Sequence, residues 1–348
     1  MIKSSQATDN IEQPLCSVCV ANYNGLETIK RCLDSIANQT CSFSIEIIVH
    51  DDASTDDSVN YIKHNYPQAV LIENHKNVGF CTSNNRMADI ARGQYILLLN
   101  NDAELFPDAL SSLHKYAGKQ AKQGILGLPQ YNMQTGELID IGSFLDPFLN
   151  PQPNLNKENR EVAHVIGACL WIPKELWLTL GGFPEWFQSV AEDLYLCCYA
   201  RLTDYPVAVL AHSGFKHWVG KSLGGGKVSA NKLSTTINRR SLSERNKTFV
   251  MILFYPVVPL IIIFPLHILF LILEGIVITL IKRNTTLWKN IYWNCLKETW
   301  NNKTFLIKKR KKIQSLKKVS NKRFFSVHKF IPYKIILLIK YGIPKINS

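Results

Sequence analysis

Asn100-Asn101-Asp102-Ala103-Glu104 follows directly on the apolar run Tyr95-Ile96-Leu97-Leu98-Leu99. A buried strand ending this way delivers oxygen ligands to its C-terminal edge. That edge is where an open α/β sheet binds its ligands. A carboxylate, an amide carbonyl and the phosphates of a substrate would together suit a hard cation. The same residues also fit a plain strand-to-turn junction, since Asn and Asp are turn formers. Three more polar clusters stand at comparable junctions: Ala21-Asn22-Tyr23-Asn24-Gly25, His50 to Asp56, and Asn74 to Phe80, the last leading into a segment with Asn84 and Asn85.

The elements that must position these clusters alternate. Leu15–Ala21, Ile45–Val49, Ala69–Ile72 and Ile96–Leu99 read as strands, and Leu26–Asn38, Asp56–Asn65 and Thr82–Ala91 as helices. Strands separated by helical segments make βαβ units and a parallel sheet, here of nucleotide-binding type. Beyond residue 103 the pattern loosens. Pro107–Lys122 is expected to be helical and the Pro/Asn-rich stretch 146–158 a loop. Ile166–Ile172 returns as a strand, Pro173–Leu180 and Ala191–Ala200 as helices, and Pro206–His212 as a strand.

The 348 residues are 46% hydrophobic and 10% aromatic, which excludes a mainly disordered chain. The net charge of +13 is divided unevenly. Residues 1–229 hold 17 Lys+Arg and 24 Asp+Glu, whereas residues 230–348 hold 23 and 3. The first part is an ordinary globular domain and the second faces something anionic. The nine cysteines are odd in number and lie mostly in apolar runs. Cys16 and Cys19 have metal-site spacing but no second pair to complete it. Reduced, buried thiols suit a cytoplasmic compartment. Residues 1–14 are a polar lead without the apolar core of a signal peptide.

From Phe249 to Ile281 the chain is almost continuously apolar. These 33 residues exceed the about 20 required for one membrane-crossing helix and are slightly short for two. Arg239, Arg240, Arg245 and Lys247 precede the run, and Lys282, Arg283 and the cluster Lys308 to Lys312 follow it. Basic flanks at both ends place both on the cytoplasmic side. A hairpin or re-entrant insertion satisfies this better than a single crossing. The expected organisation is a polar lead over 1–14, a catalytic domain over 15–230, a basic linker over 231–248, a hydrophobic membrane segment over 249–283 and a basic, aromatic tail over 284–348. Lysines interleaved with Trp, Tyr and Phe suit an anionic membrane surface. A nucleic-acid partner is not expected, because the basic cluster follows a membrane segment.

Taken in order, the clusters resemble the inverting glycosyltransferases of family 2, which have the GT-A nucleotide-sugar fold. The resemblance covers about residues 14–220. The family's strand and (A/P)-x-YN appear as Val20 to Asn24. Its EIIVVD-x-x-STD appears as Glu46 to Asp56, with His50 in place of an apolar residue. Its N-x-G-F to L-N-N-D stretch runs from Asn77 to Asp102. Gly167-Ala168, Gly181-Gly182-Phe183, Glu185, Phe187 and Glu192-Asp193 match its later motifs, and His217 to Ser222 matches H-x-x-G-x-S. The N-N-D variant is similar to the rhamnosyltransferase-like branch.

The resemblance implies a Rossmann-like, mostly parallel α/β domain followed by a membrane-associated helical segment. It implies that Asp51 bonds the nucleobase between Ala21 and Tyr23, and that Asn77, Gly79, Asn84 and Asn101 line the donor site. Asp102 would bind Mg²⁺ or Mn²⁺ at the diphosphate, supported weakly by Asn100 and by His217, with His212 as the rival histidine. Asn100 stands where many relatives carry an Asp. Asp193 would be the general base and Glu192 its neighbour toward the acceptor. Relatives often continue E-D-x-D, whereas Tyr195 stands here, which leaves the acceptor contacts open. The partners implied are a nucleotide-sugar donor, such as a dTDP-rhamnose-like or UDP-sugar, and a lipid-linked or polysaccharide acceptor. Two alternatives compete: a processive polysaccharide synthase, whose Q-x-x-R-W motif is missing, and a non-catalytic sugar-nucleotide-binding scaffold.

Overall fold

A computed structural model describes residues 13–218, 227–229 and 232–347. The lead over 1–12 and the residues 219–222 of the late motif lie outside the described residues. The first half folds as β1 (Cys16–Asn22), α1 (Leu26–Ala37), β2 (Ile45–Asp51), α2 (Ser58–Asn65), β3 (Val70–Glu73), α3 (Phe80–Ile90) and β4 (Tyr95–Asn100). There follow β5 (Ala103–Leu105), α4 (Ala109–Ala117), β6 (Ile125–Gly127), β7 (Gln130–Asn132), β8 (Leu138–Asp140), β9 (Ser143–Leu145) and β10 (Pro151–Pro153). Then come β11 (Cys169–Pro173), α5 (Lys174–Leu180), α6 (Glu192–Leu202), β12 (Val207–Val209) and β13 (Phe215–His217).

Seven strands form the main sheet in the order β12-β6-β11-β4-β1-β2-β3. β1 is parallel to β2 and β4, β2 to β3, and β6 to β12. β11 runs antiparallel to both its neighbours, so the sheet is mixed. Tyr95 to Leu99 of β4 are each at most 2% exposed. Fully burying a Leu or Ile contributes roughly 1.5–3 kcal/mol, which makes β4 the centre of the core. The buried residues Ile29, Cys32, Leu33 and Ile36 of α1 recur at helical spacing and close over the sheet. Cys16 and Cys19 point to opposite faces of β1 and both are free thiols, so their spacing makes no site. A four-stranded sheet, β5-β13-β7-β8, stands beyond the tip of β4.

Two stretches ahead of β11 differ from expectation. The helix expected over 107–122 is confined to α4, because Gly118 ends it. The 146–158 stretch contains β10 and is pinned by buried side chains rather than forming a plain loop. Asp146 accepts from the backbone N–H groups of Phe148 and Asn150, and Asn154 donates to Ile141 O and Asn159 O.

The chain divides into two units. The first holds described residues up to Ser143, with Pro153–Ala200 and Tyr205–Trp218. The second holds Phe144–Gln152, Arg201–Asp204 and the described residues beyond 219. The second unit contains β14 (Lys227–Ser229), β15 (Lys232–Thr236), α7 (Ile237–Phe254), α8 (Val257–Lys282), α9 (Thr285–Leu287) and a π-helical turn over Trp288–Trp293. α10 (Asn294–Asn301), α11 (Lys303–Ser315), α12 (Asn321–Phe325), α13 (Tyr333–Tyr341) and β16 (Lys345–Asn347) complete it. The stretch expected as a basic linker instead holds β15 and the first two-thirds of α7, where Glu244, Asn246 and Lys247 are buried. The apolar run also divides, at Tyr255-Pro256. Phe249, Val250, Met251, Leu253 and Phe254 are buried in α7, while α8 is a single helix rather than a hairpin. The remainder, expected as a tail, is helical from α9 to α13.

Candidate active site

Register at the C-terminal edge of the sheet brings the four clusters together. Asn22 and Asp51 are Cα partners across β1 and β2. Asn22 Nδ2 donates to Asp51 Oδ1 at 2.9 Å and to Ser58 Oγ at 3.0 Å. Its Oδ1 accepts from Asn101 Nδ2 at 3.0 Å. Ser54 closes the set, donating from Oγ to Asp51 Oδ1 at 2.6 Å and from its backbone N–H to Asp51 Oδ2 at 2.9 Å. Gly25 lies so close that a Cβ there would overlap Asn22 Oδ1 and Asn101 Nδ2. The third cluster is tied in by Asp52, which accepts from Val78 N at 2.7 Å, Gly79 N at 2.9 Å and Asn74 Nδ2 at 3.1 Å. Gly79 has φ +90°, a conformation open to glycine, which turns the chain into α3.

The expected donor residues are thus placed unequally. Asp51 is 2% exposed, and three of its roughly four lone-pair positions are taken by Asn22 of β1 and by Ser54, leaving one for an incoming N–H. Ala21 is half-buried, and Tyr23 (52% exposed) and Asn77 are open. Asn84 is not brought to the site. It is 1% exposed, and its amide donates to the Phe80 carbonyl one turn back in α3. Asn22 and Asp52, which hold the clusters together, were missed by sequence reasoning, although both stand in the matched motifs.

The tip of β4 meets a histidine through the second sheet. β13 pairs antiparallel with β5, with His217 opposite Ala103, and parallel with β7. This sets His217 Nε2 at 3.2 Å from Asp102 Oδ1 and 3.4 Å from Asn100 Nδ2. Gln130 Nε2 stands 2.8 Å from His217 Nδ1. Asn100 Oδ1 is buried without a hydrogen-bond partner. A carboxylate and an imidazole therefore meet beside the Asn100 amide, which turns its nitrogen to the histidine as placed and would offer its unsatisfied oxygen after a half-turn, a donor set suited to Mn²⁺ or Mg²⁺. Metal ligation by His217 Nε2 requires Nδ1–H to donate, which a half-turn of the Gln130 amide supplies through its Oε1. His212, the rival, is exposed ahead of β13.

Because β11 is antiparallel, its start lies beside the end of β4, and Asn100 N donates to Ala168 O at 3.0 Å. Gly167, one residue earlier, donates from its N–H to Asp193 Oδ2 at 2.9 Å. His164 Nε2 lies 3.2 Å from the same oxygen. Burial alone would raise the Asp193 carboxyl, but His164 and the N–H groups of Gly167 and Leu194 hold it below the usual carboxylate range. Burial likewise opposes the charged form of His164, and Asp193 outweighs it to raise that imidazole. Asp140 is the next group along. Burial pushes it up to about 6 against the opposite pull of His164, the Gly142 N–H and His217. Glu192, 6% exposed, adjoins the base at the start of α6. His164, Asp140 and Gln130 lie in the stretch where the sequence showed no pattern, so no signal announced them.

The loop leading to Asp193 is strained. Gln188, Val190 and Ala191 have φ of 67°, 70° and 68°, unfavourable for residues with a Cβ and most of all for a β-branched one. Strain of this kind is typical of residues aimed by their surroundings.

The fold and its sheet edge are those of a GT-A-like glycosyltransferase domain. A family model, Glycosyl transferase family 2, matches residues 17–178. A glycosyltransferase of PGL/p-HBAD biosynthesis from Mycobacterium bovis is 30% identical over 210 residues, 57% of this chain and 76% of the relative. The chondroitin synthase of Pasteurella multocida is 36% identical over 188 residues, 53% of this chain but 18% of that protein. This chain spans only 35%, 28% and 14% of three other curated relatives that it matches. Among solved structures, GalNAc-T7 with UDP, GalNAc and Mn²⁺ superposes with a TM-score of 0.56 at 17% identity. It covers 71% of this chain and 49% of its own. The chain belongs to glycosyl transferase family 2.

Proposed function

We propose that this enzyme moves a single sugar, with inversion, from a nucleotide diphosphate sugar to a hydroxyl of a membrane-linked glycan or polysaccharide. The reading rests on one observation above all. A carboxylate at the start of α6, held ionised by His164 and by the Gly167 N–H, is tied to the chain just ahead of β11, whose next residue, Ala168, accepts from Asn100 at the tip of β4.

Inversion needs the acceptor oxygen to attack the anomeric carbon from the face opposite the diphosphate. Asp193 takes the hydroxyl proton as the new C–O bond forms, and the electrons of the breaking bond leave on the diphosphate. Oδ1 is the less committed oxygen, accepting among the described residues from Leu194 N alone, at 2.7 Å. Asp51, Tyr23 and Ala21 receive the nucleobase, with Asn22, Asn101 and Asp52 keeping the loops in place. Asp102 and His217, with Asn100 Oδ1, are the residues that would hold a divalent cation. Such a cation, when bound, neutralises charge on the leaving diphosphate. The relatives' names support glycan synthesis: one is a chondroitin synthase and another acts in PGL/p-HBAD biosynthesis. The GalNAc-T7 structure, with UDP and Mn²⁺, supports a nucleotide donor and a metal. A dTDP-rhamnose-like or UDP-sugar is the expected donor.

The second unit attaches the enzyme to the cytoplasmic side of a membrane. α8 is, among the described residues, the one helix long and apolar enough to cross a bilayer by length and composition. The test is a screen of nucleotide sugars with purified protein, run in parallel with Asp193→Asn. The variant should lose transfer by roughly 10²- to 10⁴-fold while keeping nucleotide affinity within a few-fold. Unchanged turnover would remove Asp193 from the role of base.

A further inference from the structure

Attachment to a membrane leaves open whether α8 crosses it, and the packing of α8 bears on that question. Its outer side is apolar from end to end, with Val257, Ile261, Phe270, Val277 and Ile281 all exposed. Its 26 residues make a rod of about 39 Å. Its inner side is a narrow stripe, His267, Leu271, Gly275 and Ile278. Leu271 and Ile278 pack with Leu287, Ile291, Tyr292 and Cys295. Gly275 sits flush on the π-helical turn, where any Cβ would overlap Tyr292 and Trp288. Between the stripe residues Glu274 forms ion pairs with Arg240 of α7 and Lys334 of α13.

That inner layer is itself charged on its far side. Lys289, Asn290, Trp293, Asn294 and Lys297 line an open groove of about 350 Å³ on the π-helical turn and α10. A crossing α8 would carry this layer with it and set the groove's lysines in hydrocarbon, away from water and from counter-charge. A helix lying flat leaves the layer in water and gives only its outer face to the acyl chains. α13 carries a matching face. Lys334 ties it to α8, while Ile335, Leu338 and Ile339 are exposed, preceded by Phe330 at 89% and Ile331 at 62%.

We propose that the second unit rests on one leaflet of an anionic bilayer, with α8 lying in the plane of the interface rather than across it. The occupant of the apolar face is lipid, because the surroundings are cationic: 23 Lys+Arg against 3 Asp+Glu over 230–348, with Lys282, Arg283 and Lys340 exposed at the helix ends. Their stems can lie along apolar surface while their charges meet headgroup phosphates. The proposal builds on membrane attachment and fixes its geometry.

The test uses the full chain with phosphatidylcholine vesicles, with and without phosphatidylglycerol. The half-buried Cys41 is replaced by Ser, the other native thiols being buried. Single cysteines at Val258, Leu269, Leu280 and Ile335 then carry an environment-sensitive fluorophore whose depth is read with spin-labelled lipids. The expected result is binding roughly tenfold or more tighter to the anionic vesicles, with all four labels at one shallow depth. A label at Leu269 near the bilayer centre, with Val258 and Leu280 at opposite surfaces, would overturn the in-plane geometry while sparing membrane attachment. Failure to bind either vesicle, or burial of the labels in a dimer instead, would overturn both.

Discussion

His164 Nε2 lies 3.2 Å from Asp193 Oδ2, and the two side chains are only 9% and 13% exposed. The contact joins a residue just before β11 to the start of α6. It makes the charge of the candidate base depend on a histidine that has no place in the family's motifs.

The pair has a definite pH signature. Asp193 is depressed, so its contribution to stability is present above the ordinary carboxylate value and is lost as pH falls through the folded one. His164 is raised, so its contribution is present below the ordinary imidazole value and is lost as pH rises through the folded one. The pair is strongest between those limits. His164→Ala removes the main charge opposing burial, so the acidic limb of the kcat–pH profile should move to higher pH with nucleotide affinity unchanged. An unmoved limb would separate His164 from the base.

The Asn100–Asp102–His217 cluster predicts metal dependence. Transfer should stop in excess EDTA and return with Mn²⁺ or Mg²⁺. Asp102→Asn should abolish that return, and His217→Ala should weaken it. Electron paramagnetic resonance of Mn²⁺ with nucleoside diphosphate provides a readout independent of turnover. Full activity in EDTA would dismiss the metal role.

Gly25→Ala tests the link between the first and fourth clusters. Its Cβ would displace Asn22 Oδ1 and Asn101 Nδ2 from each other. The expected result is at least a tenfold loss of nucleoside diphosphate affinity by calorimetry, with a stability loss of about 1–3 kcal/mol from overpacking. Wild-type affinity would show that the Asn101–Asn22 bond does not shape the donor site.

In the second unit, Glu244 is 3% exposed and meets Lys247 at 3.3 Å and Lys334 at 2.8 Å. Burial would raise its carboxyl, yet Lys247, Lys334 and Arg240 hold it well below the usual range. Its stabilising contribution is therefore present at neutral pH and lost as pH falls. Glu244→Gln leaves buried cations underneutralised and should cost about 3–5 kcal/mol in chemical denaturation at pH 7. A change of under about 1 kcal/mol would mean that water already screens the network.

The four sheet-edge clusters were legible because β1, β2 and β4 are buried on both faces, so their apolar runs and polar ends stand out. The later half of the site was not. β11 is antiparallel, a choice invisible in an apolar run, and it alone explains how Ala168 comes to Asn100 and Gly167 to Asp193. His164 and Asp140 sit on short strands and bridges whose pairing is set by partners far away in sequence. Residues 237–248 of α7 read as linker because their charges look solvated until Glu244, Lys247 and Lys334 are seen to satisfy one another.

The left-handed run before α6 allows a last prediction. Ala191 has φ 68°, and a left-handed conformation costs an L-residue roughly 1–2 kcal/mol. Glycine removes that cost but loosens the unfolded chain, by roughly 0.4–1 kcal/mol. Ala191→Gly should therefore stabilise the protein slightly, by about 0.5–1 kcal/mol, measured by denaturant unfolding. The strained backbone also aims Asp193 at one geometry, and freeing it should lower kcat several-fold with KM little changed, since the donor loops are untouched. A variant that is less stable, or equally active, would show that the loop's conformation is neither strained nor used to position the base.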